Sequence, residues 1–452
     1  MPKTSETRFV NSLFLTNLIQ SHYGETDVKI RAYDVEPATI GTTNHCVRSS
    51  MNRILVKYVS RENPSEKIVT FVAKMKLSDG RHVDEVFQKE LSVYESVLPN
   101  AATIQKPRNT VELAPCLIAS SSEPFNFMIL EDITMRGYCV ENQELGLNIQ
   151  QSKMAIEKLA FFHAASAVLI SEDPNRFVKF SKGTFHTDHK DELAYFTKAL
   201  TTIVNNGSEL GIGTDLLDKL KTLPSRATQK AIEAYSSEFQ GLAVLNHGDF
   251  WTNNIMFKYN NSDLVDVLFI DFQNCVVGSP IVDLIYFLTS SPSYDVLEQY
   301  KDELIYVYHE TLSIFLHHFG YQKAIPSLMN LQVELLKYGS LEVILSLTTA
   351  PYLRTRDAQN IPPMVPALHI ETQGSELLSV LKAHSNHIIR QLQDYELRGL
   401  LEWGTSESKI KGKLNKWLLN KFRPEHHGFI YVTFLMTVLL MNQYRSARND
   451  YN

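Results

Sequence analysis

Two short apolar runs joined by a polar loop, with a third run ending in an acid, constrain this chain more than any other feature in it. GLAVLNHGDFWTNNIMFKY (241–259) reads as strand, loop, strand, and VDVLFIDFQN (265–274) reads as the following strand. A buried strand has no room for an unpaired carboxylate. The polar residues therefore collect at the ends: His247, Asp249 and Asn254 occupy the loop, and Asp271 closes the next run. An isolated Asp or Asn in a loop usually makes a turn with its own side chain. Here His-Gly-Asp-x-x-x-x-Asn is followed by Ile-Asp-Phe-Gln, and each piece is flanked by apolar strands. That joint pattern is rare by chance and points to chemistry rather than to turns.

Phosphoryl transfer is the chemistry that needs such a set. One carboxylate must reach the acceptor hydroxyl, while a second carboxylate and an amide oxygen hold a hard cation against the phosphates of a nucleotide. On this reading Asp249 orients the hydroxyl and accepts its proton, Asn254 and Asp271 ligate Mg2+, and ATP supplies the phosphoryl group. His247 braces the loop. The protein kinase pattern runs His-Arg-Asp, then Asn, then Asp-Phe-Gly; Gly248 stands here for the Arg and Gln273 for the last Gly. Such a site also needs a phosphate-binding Lys on a strand, paired with a helix Glu. TFVAKMK offers Lys74 and Lys76, on the same face of one strand. Lys74 is preferred because Val72, two residues before it, is apolar and suits the nucleotide cleft. Glu90 is its best partner, with Glu85 and Glu95 as alternatives.

The rest of the chain organises around this. NRILVKYVS (52–60), KIVTFVAKMKL (67–77) and FNFMILED (125–132) read as strands, and DEVFQKELSVYESVL (84–98) as a helix with Val86, Phe87, Leu91, Tyr94, Val97 and Leu98 near one face. Beyond Asp132 the pattern is helical: QSKMAIEKLAFFHAASAVLI, then segments near 193–205, 213–223, 231–237, 300–319, 331–348 and 376–401. The expectation is an α+β, two-lobed protein-kinase-like fold, with a small antiparallel-sheet N-lobe (1–132), a hinge near 130–138, a larger mainly helical C-lobe (133–403), and a tail (404–452) of uncertain structure. The N-terminal segment predicts an amphipathic helix with Phe9, Leu13 and Leu18 on one face, and has no secretory pattern.

A net charge of −6 argues against bulk attraction to nucleic acid. Cys46, Cys116, Cys139 and Cys275 lie far apart, lack metal spacing, and read as reduced thiols of a cytoplasmic protein. The apolar stretch at 428–441 is shorter than a bilayer span and reads as a docked helix or strand, with weak membrane association as the alternative. A monomer or weak dimer is expected.

FVAK (71–74), KELSVYESVLP (89–99), MILEDITMRGY (128–138), LAFFHAAS (159–166), LNHGDFWTNNIMF (245–257) and LFIDFQNCVVGSPIVDLIYFL (268–288), in that order, resemble the ecdysteroid-kinase-like family of insects, related to aminoglycoside phosphotransferases and choline kinases. The resemblance implies ATP-dependent phosphorylation of a hydroxyl on a small molecule, steroid moulting hormones and foreign compounds among the substrates. It implies that Lys74, paired with Glu90, holds the α- and β-phosphates, that the backbone around Leu130, Glu131 and Asp132 receives the adenine, and that Asp283 braces the catalytic loop. His163 matches as well and reads as a satisfied core histidine. Trp251, beside the base, is a candidate wall of an apolar acceptor pocket. Two features depart from the family: the phosphate-covering loop has only Gly41, and Cys46 and Val47 fall where aromatic or small residues are usual. A choline- or aminoglycoside-type kinase and a catalytically silent ligand-binding relative are the alternative readings.

Overall fold

The computed structural model describes residues 9–38, 49–76, 81–105, 111–121, 126–236, 241–355 and 373–401. Gly41, Cys46, Val47 and the whole of 404–452 lie outside them. Five strands, β1 (Lys29–Pro37), β2 (Ser49–Val59), β3 (Lys67–Lys76), β4 (Leu117–Ser121) and β5 (Phe127–Glu131), form one antiparallel sheet in the order β1-β2-β3-β5-β4. β3 is nearly all apolar because both of its faces are covered. Phe71, Ala73 and Met75 join one core with Val10, Leu15, Leu18 and Ile19, while Val72 joins the main core with Met128 and Leu130 from β5. The two-residue alternation then puts Lys74 on the Val72 side, facing the larger lobe.

Helix α1 (Ser12–Tyr23) is capped by Asn11 and covers the outer face of the sheet. Its buried residues are Leu15, Leu18 and Ile19; Leu13 is 71% exposed, so the apolar face differs from the one expected. Phe9 precedes the helix and stacks on Phe127 at 4.3 Å. On the other side, α2 (Arg81–Ser92) runs through a π-helical turn, Val93–Val97, into α3 (Leu98–Ile104).

The chain leaves β5 through a 3-10 turn, Ile133–Arg136, capped by the Asp132 side chain, and enters β6 (Tyr138–Val140) at Gly137, whose φ is +84°. Helix α4 (Ile149–Glu172), started by the Asn148/Gln151 capping box, is long and apolar enough to cross a membrane, yet 72% of its most apolar window is buried. It packs along α9 (Tyr294–His318) as the core of the second lobe. Between them in sequence lie α5 (Lys190–Asn206), α6 (Thr214–Leu220), α7 (Leu223–Ala234), the short strands β7 (Val244–Asn246), β8 (Ile255–Asn260), β9 (Asp263–Phe269) and β10 (Val276–Gly278), and α8 (Ile281–Ser290). α7 starts earlier than the helix expected at 231–237. The helix expected at 331–348 is two, α10 (Leu328–Lys337) and α11 (Gly339–Thr348), broken at Tyr338. After α12 (Ala350–Leu353), the helix expected at 376–401 is also two, α13 (Gln373–Ala383) and α14 (Ser385–Arg398), broken at His384. The Glu342–Arg398 pair, 2.9 Å and buried, ties α11 to α14.

Candidate active site

The two apolar runs around the polar loop do not pair with each other. β7 pairs with β10, and β8 with β6 and β9, so the loop is suspended between two small sheets. Asp283, fully buried in the first turn of α8, anchors it: its carboxylate accepts from the backbone N–H of His247 (2.6 Å) and of Gly248 (2.9 Å). His163 Nε2 lies 3.1 Å from the same carboxylate, and its Nδ1 2.7 Å from the Tyr308 hydroxyl. His163 is thus a satisfied core histidine, and it also holds the residue that holds the loop. Charge-assisted bonds of this kind fix geometry more firmly than neutral ones.

Gly248 has φ +79°, and a Cβ there would sit 2.0 Å from the carbonyl oxygen of Asn274. Neither the backbone angle nor the space admits a side chain. This is the steric reason that the Arg of the protein kinase pattern is replaced.

Asp249 follows, partly buried. Its Oδ1 accepts from the Tyr286 hydroxyl at 2.8 Å, and its backbone carbonyl accepts from Asn254 Nδ2 at 2.8 Å. Burial, reinforced by the charge of Asp271, pushes the Asp249 carboxyl up to about 6, while bonds from Tyr286, Asn254 and Asn274 oppose the rise. The N–H of Ile270 donates to the Asn254 carbonyl at 3.0 Å, which brings Asn254 beside the next residue, Asp271.

Asp271 adopts a left-handed backbone, φ +66°, uncommon for a residue with a side chain. Its Oδ1 lies 2.7 Å from Lys74 Nζ, and its Oδ2 accepts from Gln273 Nε2 at 3.1 Å. Lys74 Nζ also lies 2.6 Å from Glu90 Oε2, and both side chains of that pair are buried. Burial pushes the Glu90 carboxyl up and Lys74 pulls it back. Lys76 instead pairs with Asp84, Glu85 is exposed, and Glu95 accepts from Ser120 Oγ. Lys74, Glu90, Asp249, Asn254 and Asp271 therefore form one connected group.

Below them runs an aromatic stack: Tyr94 meets Phe272 edge-on at 5.6 Å, and Phe272 meets His247 at 4.9 Å. His247 Nε2 lies 2.9 Å from the Ile270 carbonyl, and burial lowers its basicity. The stack links the helix carrying Glu90 to the polar loop at 247–254. Sequence reasoning missed Tyr94, Phe272 and Tyr286: the two tyrosines read as core, and Phe272 lies inside the Asp-Phe-Gln motif without a role of its own.

On β5, paired with Val72, Leu130 is buried, the Glu131 N–H donates to the Cys116 carbonyl, and the Glu131 side chain pairs with Arg136. Asp132 is engaged by Arg53 (2.8 Å) and Thr134. The acid side chains here are committed to the protein itself. Trp251 is half-buried against the main core.

No group of three His, Cys, Asp or Glu residues suited to a metal occurs among the described residues. The Asp271 carboxylate and the Asn254 amide are hard oxygen donors next to a Lys suited to phosphate. That set fits a hard divalent cation shared with nucleotide phosphates rather than a metal bound by protein alone.

No curated protein matches the chain. Among solved structures it is similar to a protein assigned as an aminoglycoside phosphotransferase from Ralstonia eutropha (12% identity, 83% of this chain and 98% of that one, TM-score 0.41). It is also similar to an ethanolamine kinase of Plasmodium vivax (14%, 87% and 97%, 0.39) and to an amicoumacin kinase in complex with AMP-PNP, Ca2+ and Ami (10%, 85% and 96%, 0.34). A profile of the ecdysteroid kinase-like family matches residues 46–321, more than half of the 452. The chain has the two-lobed kinase-like α+β fold and belongs to the ecdysteroid kinase-like family.

Proposed function

We propose that this protein is an ATP-dependent small-molecule O-kinase that transfers the γ-phosphate to a hydroxyl of a steroid-like or xenobiotic acceptor. The observation that carries the reading is the bridge made by Lys74, whose Nζ contacts Glu90 at 2.6 Å and Asp271 at 2.7 Å beside the Asp249/Asn254 loop. Glu90 and Asp271 hold the ammonium ready for the nucleotide phosphates. Asp249 takes the proton of the acceptor hydroxyl as its oxygen bonds to the γ-phosphorus and the bond to the ADP leaving oxygen breaks. Tyr286 donates to one Asp249 oxygen, and together with Asn254 and Asn274 it fixes the orientation of the carboxylate. Mg2+, when bound by Asn254 and Asp271, neutralises charge on the phosphates. Catalysis is then mostly positioning and charge neutralisation.

Family membership favours a neutral, largely apolar acceptor, and Trp251 is the candidate wall of its pocket. Leu130–Asp132 would meet the adenine through backbone groups. The protein would work in the cytoplasm as a monomer or weak dimer. The test is to incubate it with ATP, Mg2+ and a panel of hydroxylated lipids, xenobiotics and choline, and to look for an added phosphate by mass. Turnover of choline in preference to every neutral acceptor would overturn the acceptor class.

A further inference from the structure

We propose that Gln273 is a third protein oxygen ligand of the metal site and strengthens its hold on the divalent cation. This rests on the reading of Asp271 and Asn254 given above. Gln273 stands where the protein kinase pattern has glycine, which offers no side chain at all. Its carboxamide lies against the one Asp271 oxygen that Lys74 does not contact: Lys74 is on Oδ1 at 2.7 Å and Gln273 Nε2 is on Oδ2 at 3.1 Å.

An ionised carboxylate oxygen only accepts hydrogen bonds, so the amide turns its NH2 toward it. Once a cation shares Oδ2, an NH2 facing that position is repelled. The amide cannot retreat with its backbone, because its neighbours are pinned. Phe272 is buried between Tyr94 and His247, Cys275 N–H donates to the Phe272 carbonyl, and the Asn274 carbonyl oxygen packs against Gly248, 2.0 Å from where a Cβ would stand. The terminal torsion of Gln is broad and roughly two-fold, so a half-turn is cheap. That half-turn exchanges Nε2 for Oε1 and offers a hard carbonyl oxygen. The same amide thus holds Asp271 in the bare site and ligates the cation in the loaded one. It adds a ligand without adding charge, in a site whose Asp271 charge is already shared with Lys74.

The alternative is that Gln273 only donates to Asp271. Glutamate separates the two roles, because it keeps the oxygen and loses the donor. The experiment measures Mn2+ binding to the full-length protein with AMP-PNP, from the electron paramagnetic resonance of free Mn2+, with Mg2+ as competitor. Gln273→Glu is expected to bind Mn2+ as tightly as wild type or several-fold tighter. Gln273→Leu is expected to bind about tenfold more weakly, at the low end for loss of a group supporting a metal site. Gln273→Met repeats the test with an unbranched chain if Leu disturbs folding. Weaker binding by Gln273→Glu, or wild-type binding by both apolar variants, overturns the proposal. Asp271→Asn tells the two failures apart. If it binds Mn2+ like wild type, the metal site itself has been misplaced; if it loses the ion while Gln273→Glu also binds weakly, only the role of Gln273 is wrong.

Discussion

Replacing Asp249 by Asn should make the protein more stable and nearly inactive at once. The Asp249 carboxyl sits near 6 in the folded protein against an ordinary 3.8. The folded state therefore binds the proton more tightly than the unfolded chain. The contribution to stability is full below about 3.8 and is lost as pH rises through about 6. At about 1.4 kcal/mol per unit the whole shift is worth about 3 kcal/mol, and the open edge of the side chain reduces this to about 1–3 kcal/mol. Asn carries no charge to desolvate and still accepts from Tyr286 through its amide oxygen. Thermal unfolding followed across pH should show Asp249→Asn above wild type by a few degrees at neutral pH. The gap should close toward about pH 4, where wild type is protonated. Turnover should fall by roughly 10²–10⁴, as for loss of a general base. A variant no more stable than wild type at neutral pH, or a gap that ignores pH, would refute the reasoning.

Three further outcomes follow from the same geometry. Lys74→Met strands a buried carboxylate at Glu90 and should cost about 3–5 kcal/mol in chemical denaturation; adding Glu90→Met should recover most of that without restoring protection by ATP and Mg2+, and costs that simply add would contradict it. Tyr286→Phe removes the hydroxyl from Asp249 and should lower kcat about tenfold or more at unchanged KM for ATP, as for a hydrogen bond to a charged group; a change confined to KM for ATP would be inconsistent. Gly248→Ala, which meets both a positive φ and a backbone carbonyl, should lose about 2 kcal/mol or more, whereas a wild-type melting temperature would show that the loop is not held as described.

How much could be read from the chain alone follows from what kind of signal each residue carries. Asp249, Asn254 and Asp271 stand out because they close apolar runs in a joint spacing that is rare by chance. Lys74 is separable from Lys76 because alternation along β3 pairs it with Val72, and in the structure Lys76 turns to Asp84. Tyr286 carries no such mark: it lies in a fully buried helix, 37 residues from the acid it touches, where a tyrosine reads as packing. The same holds for Tyr94, whereas Phe272 lies inside the Asp-Phe-Gln motif and only the structure shows what it packs against. Leu13 is exposed although the spacing puts it on the apolar stripe, because helical spacing fixes a stripe but not which way it faces; the sheet decides, by burying Leu15, Leu18 and Ile19. The break at Tyr338 is marked only by Gly339 beside it, and the break at His384 has no glycine or proline to announce it; there the packing of successive helices sets it. Gly248 stands where the pattern has arginine, and its positive φ and the Asn274 carbonyl, both visible only in the structure, explain it.

The most direct test of the central claim is transfer itself. Wild type and Asp249→Asn, both folded and both protected by ATP and Mg2+, are incubated with the same hydroxylated panel, and phosphate esters are read by mass. The account predicts an ester from wild type and little or none from the variant. Equal ester from both proteins would contradict it.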